Sequence, residues 1–341
     1  MHKVWDVKTE NYRFELNVSN YVCIFDNFAE NEVQLMDDLL EVFQPRSKVR
    51  DSVKVTDITE DEEEITHHNF QAFKVSNEKL LEEVNLGAKS SLKSRIKNEF
   101  SQHLETDGYL MTINTLVEDL LQLVDSELPL RSKRFNLDLF TKLITIDFDD
   151  MGDKKYEVIF QQLKLVLPEV VKDVKANCKT SPILLYYYPE NFLSPREQLF
   201  YKEMLTEIAQ EIPIILLTKS NNFLENDIYA NNFLMNNRQL FTKKYLNDME
   251  WDAPIDYSME DIVVSLSKVF KKYIWQFETY PIISNYRDAD IIVFESLDLY
   301  VTCRLLNSMG VEYELDLKPG DLEGPVYGYV MDKYRERNRS P

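Results

Sequence analysis

Pro182-Ile183-Leu184-Leu185-Tyr186-Tyr187-Tyr188-Pro189-Glu190-Asn191-Phe192-Leu193-Ser194-Pro195, followed by Pro213-Ile214-Ile215-Leu216-Leu217, decides the fold class. Ile183 to Tyr188 is an uninterrupted apolar run of strand length. Ser194-Pro195 reads as a helix start, with serine as the N-cap and proline in the first turn, where a missing N–H costs nothing. Leu199, Phe200, Met204, Leu205 and Ile208 follow as an apolar helix face, and residues 214–217 form a second continuous apolar strand. Two strands joined through one helix imply a parallel pair with a crossover. Strands that are apolar throughout, rather than alternating, imply burial on both faces. The expected class is therefore α/β with a mainly parallel sheet.

Working outward, residues 1–75 read as strands with one helix. Tyr12 to Val18 alternates apolar and polar, Tyr21 to Phe25 is continuously apolar, and residues 53–58 and 70–75 are strand-like. Val33, Met36, Leu39, Leu40 and Phe43 make a helical stripe that Pro45 stops. Residues 60–64 are all acidic, as in a solvated loop. These early strands are expected to join the parallel sheet.

From 76 to 179 helical spacing dominates. Ser76 is a plausible N-cap, and Leu92, Ile96 and Phe100 form one stripe. Residues 112–124 read as a core-facing helix and 156–174 as another, kinked or split at Pro168. Residues 143–148 are a strand candidate. This gives an α/β head (1–75 and 180–245), an inserted helical leg (76–179) and a C-terminal extension (246–341). Within the extension, 248–256 reads as a linker, 259–277 and 296–309 as helices, 291–294 and 311–317 as strands, and the tail from Lys333 to Arg339 as frayed.

Composition narrows the function classes. The chain has 341 residues and a net charge of −20, from 59 Asp+Glu against 39 Lys+Arg. Hydrophobic residues at 44% supply a sizeable core and exclude a wholly disordered chain. Only seven glycines argue against folds built on several glycine-rich phosphate loops. Cys23, Cys178 and Cys303 are far apart and no Cys-x-x-Cys pair exists, which fits a reducing compartment without a zinc site. The first residues lack the apolar core of a signal peptide, and no run approaches the ~20 apolar residues of a membrane span. The expectation is a cytoplasmic protein.

The residues offer few catalytic constellations. Gly87-Ala88-Lys89-Ser90 is the nearest text to a phosphate loop, but it lacks the second glycine and follows no strand. No Gly-x-Ser-x-Gly elbow is present. His67-His68 beside the acidic run reads as loop. Asp147, Asp149 and Asp150, at the end of the strand candidate, are the residues a Mg²⁺-dependent nuclease would use; a polar turn is the plain reading. Glu118, Asp119, Asp125 and Glu127 are a second acidic group of the type that holds Ca²⁺ or simply faces water.

Basic clusters are more informative in so acidic a chain. Arg46, Lys48, Arg50 and Lys54 lie between a helix and a strand. Lys89, Lys93 and Lys97 recur every four residues, on one solvent-facing helix side, with Arg95 on the same helix. Arg131, Lys133 and Arg134 form a third group. Such clusters suit an anionic partner, and ordinary solubilising lysine is the competing account. Aromatic residues do not interleave with them, which favours backbone contacts on a duplex over stacking on single strands.

The 183–195 stretch with 214–217 resembles the CRISPR-associated adaptation protein of type II-A systems, of the Csn series. Val55-Thr56-Asp57-Ile58, the segment from Phe73-Lys74-Val75-Ser76 to Leu81, and Glu127-Leu128-Pro129-Leu130 through Asp147 are similar to the same family in order and spacing, over roughly residues 10–245. Residues 246–341 have no counterpart in the short members, so the chain looks like the large variant.

The resemblance implies an α/β head distantly like phosphate-loop NTPases without the catalytic loop, a helical leg, and a homotetrameric ring. That ring binds double-stranded DNA ends without enzymatic activity and supports spacer acquisition. Implied partners are other adaptation proteins and the RNA-guided effector nuclease. Arg46, Lys48, Arg50 and Lys54 fall where short members carry a lysine-rich loop, and are carried over as DNA contacts. Lys89, Lys93, Arg95 and Lys97 are added from helical spacing. Short members hold structural Ca²⁺ through acidic residues near the leg; Arg131-Ser132-Lys133-Arg134 stands there instead, opposing calcium, and no cofactor is required. Two rival readings remain: a metal-dependent nuclease or nucleotide hydrolase, and an acidic protein–protein scaffold.

Overall fold

The computed structural model describes residues 3–27, 31–47, 49, 52–60, 62–148, 157–235 and 238–337. Its contacts gather into two compact units. Met1–Lys74, Thr180–Glu190 and Ser194–Pro341 form the first; Val75–Lys179 and Asn191–Leu193 form the second.

The first unit begins with β1 (Lys3–Lys8) and β2 (Arg13–Val18), an antiparallel pair. β3 (Tyr21–Phe25) is buried along its whole length. α1 (Asn31–Val42), β4 (Lys54–Asp57), the two-residue β5 (Glu63–Glu64) and β6 (Phe70–Ser76) follow. The early strands divide between two sheets rather than joining one. β2-β1-β4-β5 form their own sheet, antiparallel throughout, while β3 and β6 enter the six-stranded sheet. The side chains account for the split. Arg13, Glu15, Lys8 and Lys54 point to water while Trp5, Val7, Phe14, Leu16 and Val55 are buried, the pattern of a sheet covered on one face. β3 has no charged position and suits a strand covered on both. One core, including Trp5, Phe14, Leu35, Met36, Leu39, Phe43, Ile24, Leu185 and Leu217, lies against both sheets.

The second unit holds α2 (Asn77–Val84), α3 (Ser91–Gln102), α4 (Glu105–Gln122), α5 (Leu137–Leu143) and α6 (Val158–Asn177). Ser76 caps α2 by accepting from the Lys79 N–H. α6 runs uninterrupted through Pro168 and buries Phe160, Leu163, Val166, Leu167, Val171 and Val174. Two expectations fail here. Residues 144–148 are irregular, because Asn136 caps α5 and that helix takes up Leu143. α4 forms, but none of its residues is buried.

The chain returns to the first unit with β7 (Ser181–Tyr187), α7 (Pro195–Ile208) and β8 (Ile214–Thr218), and β7 pairs β8 in parallel. Ser194 and Glu197 complete a reciprocal capping box at the start of α7. The buried side of α7 is Tyr201 and Leu205, with the Tyr201 and Tyr186 hydroxyls 2.7 Å apart; Leu199 and Phe200 face outward, contrary to the apolar face expected from spacing. β9 (Asn231–Met235) runs parallel to β3, and β10 (Arg238–Gln239) closes the order β10-β9-β3-β8-β7-β6.

Where a linker was expected, Thr242 caps α8 (Lys243–Trp251), which buries Leu246 and Met249 and takes up residues 248–251 of the expected linker, while 252–258 are irregular. α9 (Met259–Tyr273), β11 (Ile282–Ser284), β12 (Ile291–Ile292), α10 (Ser296–Met309), β13 (Glu314–Asp316) and α11 (Gly324–Arg337) complete the unit. Gly310, at φ +71°, ends α10 in the left-handed conformation that glycine adopts without strain. The tail is helical to Arg337 rather than frayed, because Val326 and Val330 are buried and Tyr329 packs edge-on against Tyr300.

Phe270 of α9 ties this C-terminal part to the parallel sheet, with ring centroids 6.1 Å from Phe25, 5.1 Å from Phe233 and 4.7 Å from Phe241. Phe270→Ala should cost about 3–5 kcal/mol. Calorimetry should show one transition moved to lower temperature; two separate transitions would mean that residues 246–341 unfold independently.

Candidate nucleic-acid interface

Strand register builds a basic row. Lys8 of β1 stands opposite Arg13 of β2 and opposite Lys54 of β4, on the exposed face of the antiparallel sheet. Like charges placed directly opposite each other repel. The neighbouring row partly offsets this: Glu15, Asp6, Thr56 and Glu64 lie next along the same face, and the Arg13 Nε donates to Asp6 at 2.8 Å. Lys8 and Lys54 make no ion pair among the described residues. Arg46, in the turn after α1, is also exposed. Lys48 and Arg50 lie outside the described residues. Lys8 and Arg13 were not singled out in the sequence; only the pairing of β1 places them beside Lys54.

The α3 cations divide differently from the expected solvent-facing line. Lys89 precedes the helix, exposed in the turn, and Lys93 is half-buried in its first turn. Arg95 donates to the Glu169 carbonyl at 3.0 Å, pairs with the Glu169 carboxylate and approaches Glu99 at 3.5 Å. Lys97 pairs with Asp138 and holds that carboxyl below its ordinary range. Arg95 and Lys97 thus fasten α3 to α6 and α5. Lys89 and Lys93 make no ion pair among the described residues. Arg131, Lys133 and Arg134 are exposed in an irregular segment.

The Gly87-Ala88-Lys89-Ser90 turn does not present a phosphate cradle. Glu83 fills the start of α3: its carboxylate accepts from the Ser90 hydroxyl at 2.5 Å and from the Ser91 and Leu92 N–H groups at 3.1 Å. A carboxylate already occupies the position an anion would take. Asp147 is exposed in an irregular stretch, not at a strand end, and Asp149 and Asp150 lie outside the described residues. Glu118, Asp119, Asp125 and Glu127 all face water. The His67 and His68 rings lie 3.9 Å apart, tilted by 42°, and no group of three His, Cys, Asp or Glu with metal-binding geometry occurs among the described residues.

A second cluster, not seen in the sequence, sits at the carboxyl ends of β3, β7 and β8, the place where open α/β sheets present ligand crevices. The Tyr188 hydroxyl donates to Asp26 at 2.6 Å, and Lys219 approaches Asp26 at 3.5 Å. Glu190 accepts from the Thr218 hydroxyl at 2.8 Å and the Lys219 N–H at 2.6 Å. Tyr188 has φ +50°, a strained value for a bulky residue. Glu32, in the first turn of α1, is 0% exposed, and neither of its carboxylate oxygens makes a well-formed hydrogen bond. Burial, aided by the charge of Asp26, pushes its carboxyl up to about 7, although nearby backbone N–H groups pull the other way.

A carboxyl raised from 4.5 to about 7 on folding makes the native state bind the extra proton between those values. Stability should therefore fall as pH rises through that window and level off above it. Melting temperatures between pH 5 and 8 should show this slope for the natural chain and lose it in Glu32→Gln; an unchanged slope in the variant would assign it elsewhere.

No family model matches this chain, and no curated protein matches it in sequence. The crystal structure of Stu0660 of Streptococcus thermophilus is similar to it with a TM-score of 0.57, over 97% of this chain and 99% of that one, at 16% identity. At that identity the likeness is one of fold, and it runs end to end through both units. A nucleotide-free ATP-binding cassette from an ABC transporter aligns over 74% of this chain and 96% of that one, at 13% identity and a TM-score of 0.32, too low to carry an argument.

Proposed function

We propose that this chain is a non-enzymatic, sequence-independent binder of double-stranded DNA ends that works as a ring-shaped homo-oligomer in type II-A CRISPR spacer acquisition. The observation that carries the reading is the row of Lys8, Arg13 and Lys54 on one exposed sheet face of a chain whose net charge is −20. A local basic surface suffices for DNA, because phosphate contacts are local and screening is short-ranged. The resemblance of the 183–195 and 55–58 text to the type II-A adaptation family supports the biological role, and the end-to-end similarity to Stu0660 is compatible with it. The distant likeness to NTPases without their catalytic loop belongs to this reading, as do the cytoplasmic location and partnership with other adaptation proteins and the RNA-guided nuclease. No helix among the described residues is long and apolar enough to cross a membrane.

The mechanism is electrostatic. Lys8, Lys54 and Arg46, with Lys48 and Arg50 between the last two in sequence, replace counterions on the phosphates. Lys89 and Lys93 are a second contact group. Arg95 and Lys97 position α3 and contribute through it, since Glu169 and Asp138 hold them. No cofactor is required, and cationic Arg131, Lys133 and Arg134 disfavour calcium in that segment.

Duplex affinity should fall steeply with salt, and each lost phosphate contact should flatten the log–log slope by ~0.9. Lys8→Ala with Lys54→Ala should reduce both affinity and slope in fluorescence titrations on one linear duplex. An unchanged slope would remove this sheet face from the interface. Mg²⁺-dependent cleavage lost on changing Asp147, Asp149 and Asp150 would instead support the nuclease reading.

A further inference from the structure

A cavity of about 700 Å³ lies in the first unit and shares no residue with the basic sheet row. Its walls are Met235 at the end of β9, Arg238 of β10, Leu240, the first two turns of α8 and Ser308 in the last turn of α10. Gln239 also lines it and is fixed: its Nε2 donates to Asn232 at 2.5 Å and its Oε1 accepts from the Phe233 N–H at 2.9 Å, which holds β10 in place beneath Arg238. The charged side chains are uncommitted. Arg238, Lys244 and Asp248 make no ion pair and no side-chain hydrogen bond among the described residues, whereas Lys202, Lys268 and Arg304 of the same unit each pair with a carboxylate. Lys244 and Asp248 stand four apart on α8, the spacing of a helical ion pair, and still do not close one. The Tyr245 hydroxyl is buried beside Ser308 without a well-formed hydrogen bond. A buried hydroxyl left unmet costs stability. The Ser308 hydroxyl donates to the Arg304 carbonyl at 2.8 Å, so its oxygen still has lone pairs to offer.

We infer that this cavity binds a free nucleoside monophosphate, its phosphate on Arg238 and Lys244 and a hydroxyl or amino group of the nucleoside on Asp248. The charges select that chemistry. Two cations, one of them a guanidinium with a planar fork of donors, suit a phosphate dianion. Asp248 repels a bare anion, so the ligand must also carry a hydrogen-bond donor. A purely cationic ligand would meet two cations for one acid. Met235, Leu240 and the Tyr245 ring give the walls an apolar part, which a base covers and a sugar phosphate leaves wet. The volume is that of a site for one small molecule. A polar group drawn against Ser308 is also the partner that the Tyr245 hydroxyl lacks. The site depends on neither Lys8, Arg13 and Lys54 nor the ring, since none of its residues belongs to them.

The test is isothermal titration of the full chain with adenosine, cytidine, guanosine and uridine monophosphate, and with ribose 5-phosphate and inorganic phosphate as smaller probes. Three chains are compared: natural, Arg238→Gln with Lys244→Gln, and Asp248→Asn. All three positions are exposed, so the fold should persist, as circular dichroism checks. At least one nucleoside monophosphate should bind more tightly than either smaller probe, and the double variant should weaken it by about tenfold or more. Asp248→Asn should weaken that nucleotide and strengthen inorganic phosphate, because it removes an acceptor from the first and a like charge from the second. No binding of any nucleotide at millimolar concentration, or binding indifferent to the double variant, overturns the inference. So does ribose 5-phosphate binding as tightly as the nucleotides, or Asp248→Asn strengthening nucleotide and phosphate alike. Retention of a linear duplex is read on the same samples and should be equal in all three; its loss in the double variant would assign the two cations to DNA and overturn the nucleotide site, while its absence from the natural chain bears on the DNA reading alone.

Discussion

The side-chain amide of Asn232 is the joint on which the first unit depends. It is fully buried in β9, against Asn17 of β2. Its Oδ1 accepts from the Asn17 N–H at 2.8 Å and from the Gln239 Nε2 at 2.5 Å, while its Nδ2 donates to the Asn17 carbonyl at 3.0 Å. Gln239 in turn accepts from the Phe233 N–H at 2.9 Å, and Asn17 donates to the Phe241 carbonyl at 2.9 Å. Three amides from β2, β9 and β10 thereby satisfy backbone groups that neither sheet ladder reaches. Leaving any of them unpaired would cost about 1–3 kcal/mol per group. Because every member is partnered, the network fixes one register between the sheets.

The distribution of charge follows from the same geometry. A net charge of −20 describes the whole molecule, but a phosphate senses only what lies within a screening length. On the antiparallel sheet three cations from three strands share one row, and although Asp6 holds Arg13, Lys8 and Lys54 make no ion pair among the described residues. On α3 the opposite happens: Arg95 and Lys97, which look equally available in sequence, are held by Glu169 and Asp138 and act as fasteners. The Glu83 carboxylate likewise closes the start of α3 to an anion. Which cations remain available to a partner is thus a property of the fold, not of their spacing.

The parallel core was legible in the residues, because β3, β7 and β8 are short continuous apolar runs and the Ser194-Pro195 start is locally encoded. Ser76, Pro45 and Gly310 marked element ends for the same local reason. β1 was missed: Lys3-Val4-Trp5-Asp6-Val7-Lys8 is polar at three of its six positions, and its strand character comes from pairing with β2 on one side and β4 on the other. Residues 248–256 were read as a linker because Asp248, Glu250, Asp252 and Asp256 punctuate them beside Pro254, yet 248–251 complete α8, which buries Leu246 and Met249. α4 was read as core-facing because spacing reports that an apolar face exists, not what covers it. The cluster of Asp26, Glu32, Tyr188, Glu190 and Lys219 had no sequence signature, since its members come from three separate strand ends and the first turn of α1. Of the candidate interface, Lys54 and Arg46 were legible as charge, and their neighbours Lys8 and Arg13 were not.

The most direct measurement of the central claim is a mobility shift with one duplex in linear and covalently closed circular form, in EDTA and at low salt. An end-loading ring predicts retention of the linear form alone, with the DNA intact. Equal retention of both forms, or of neither, would contradict it.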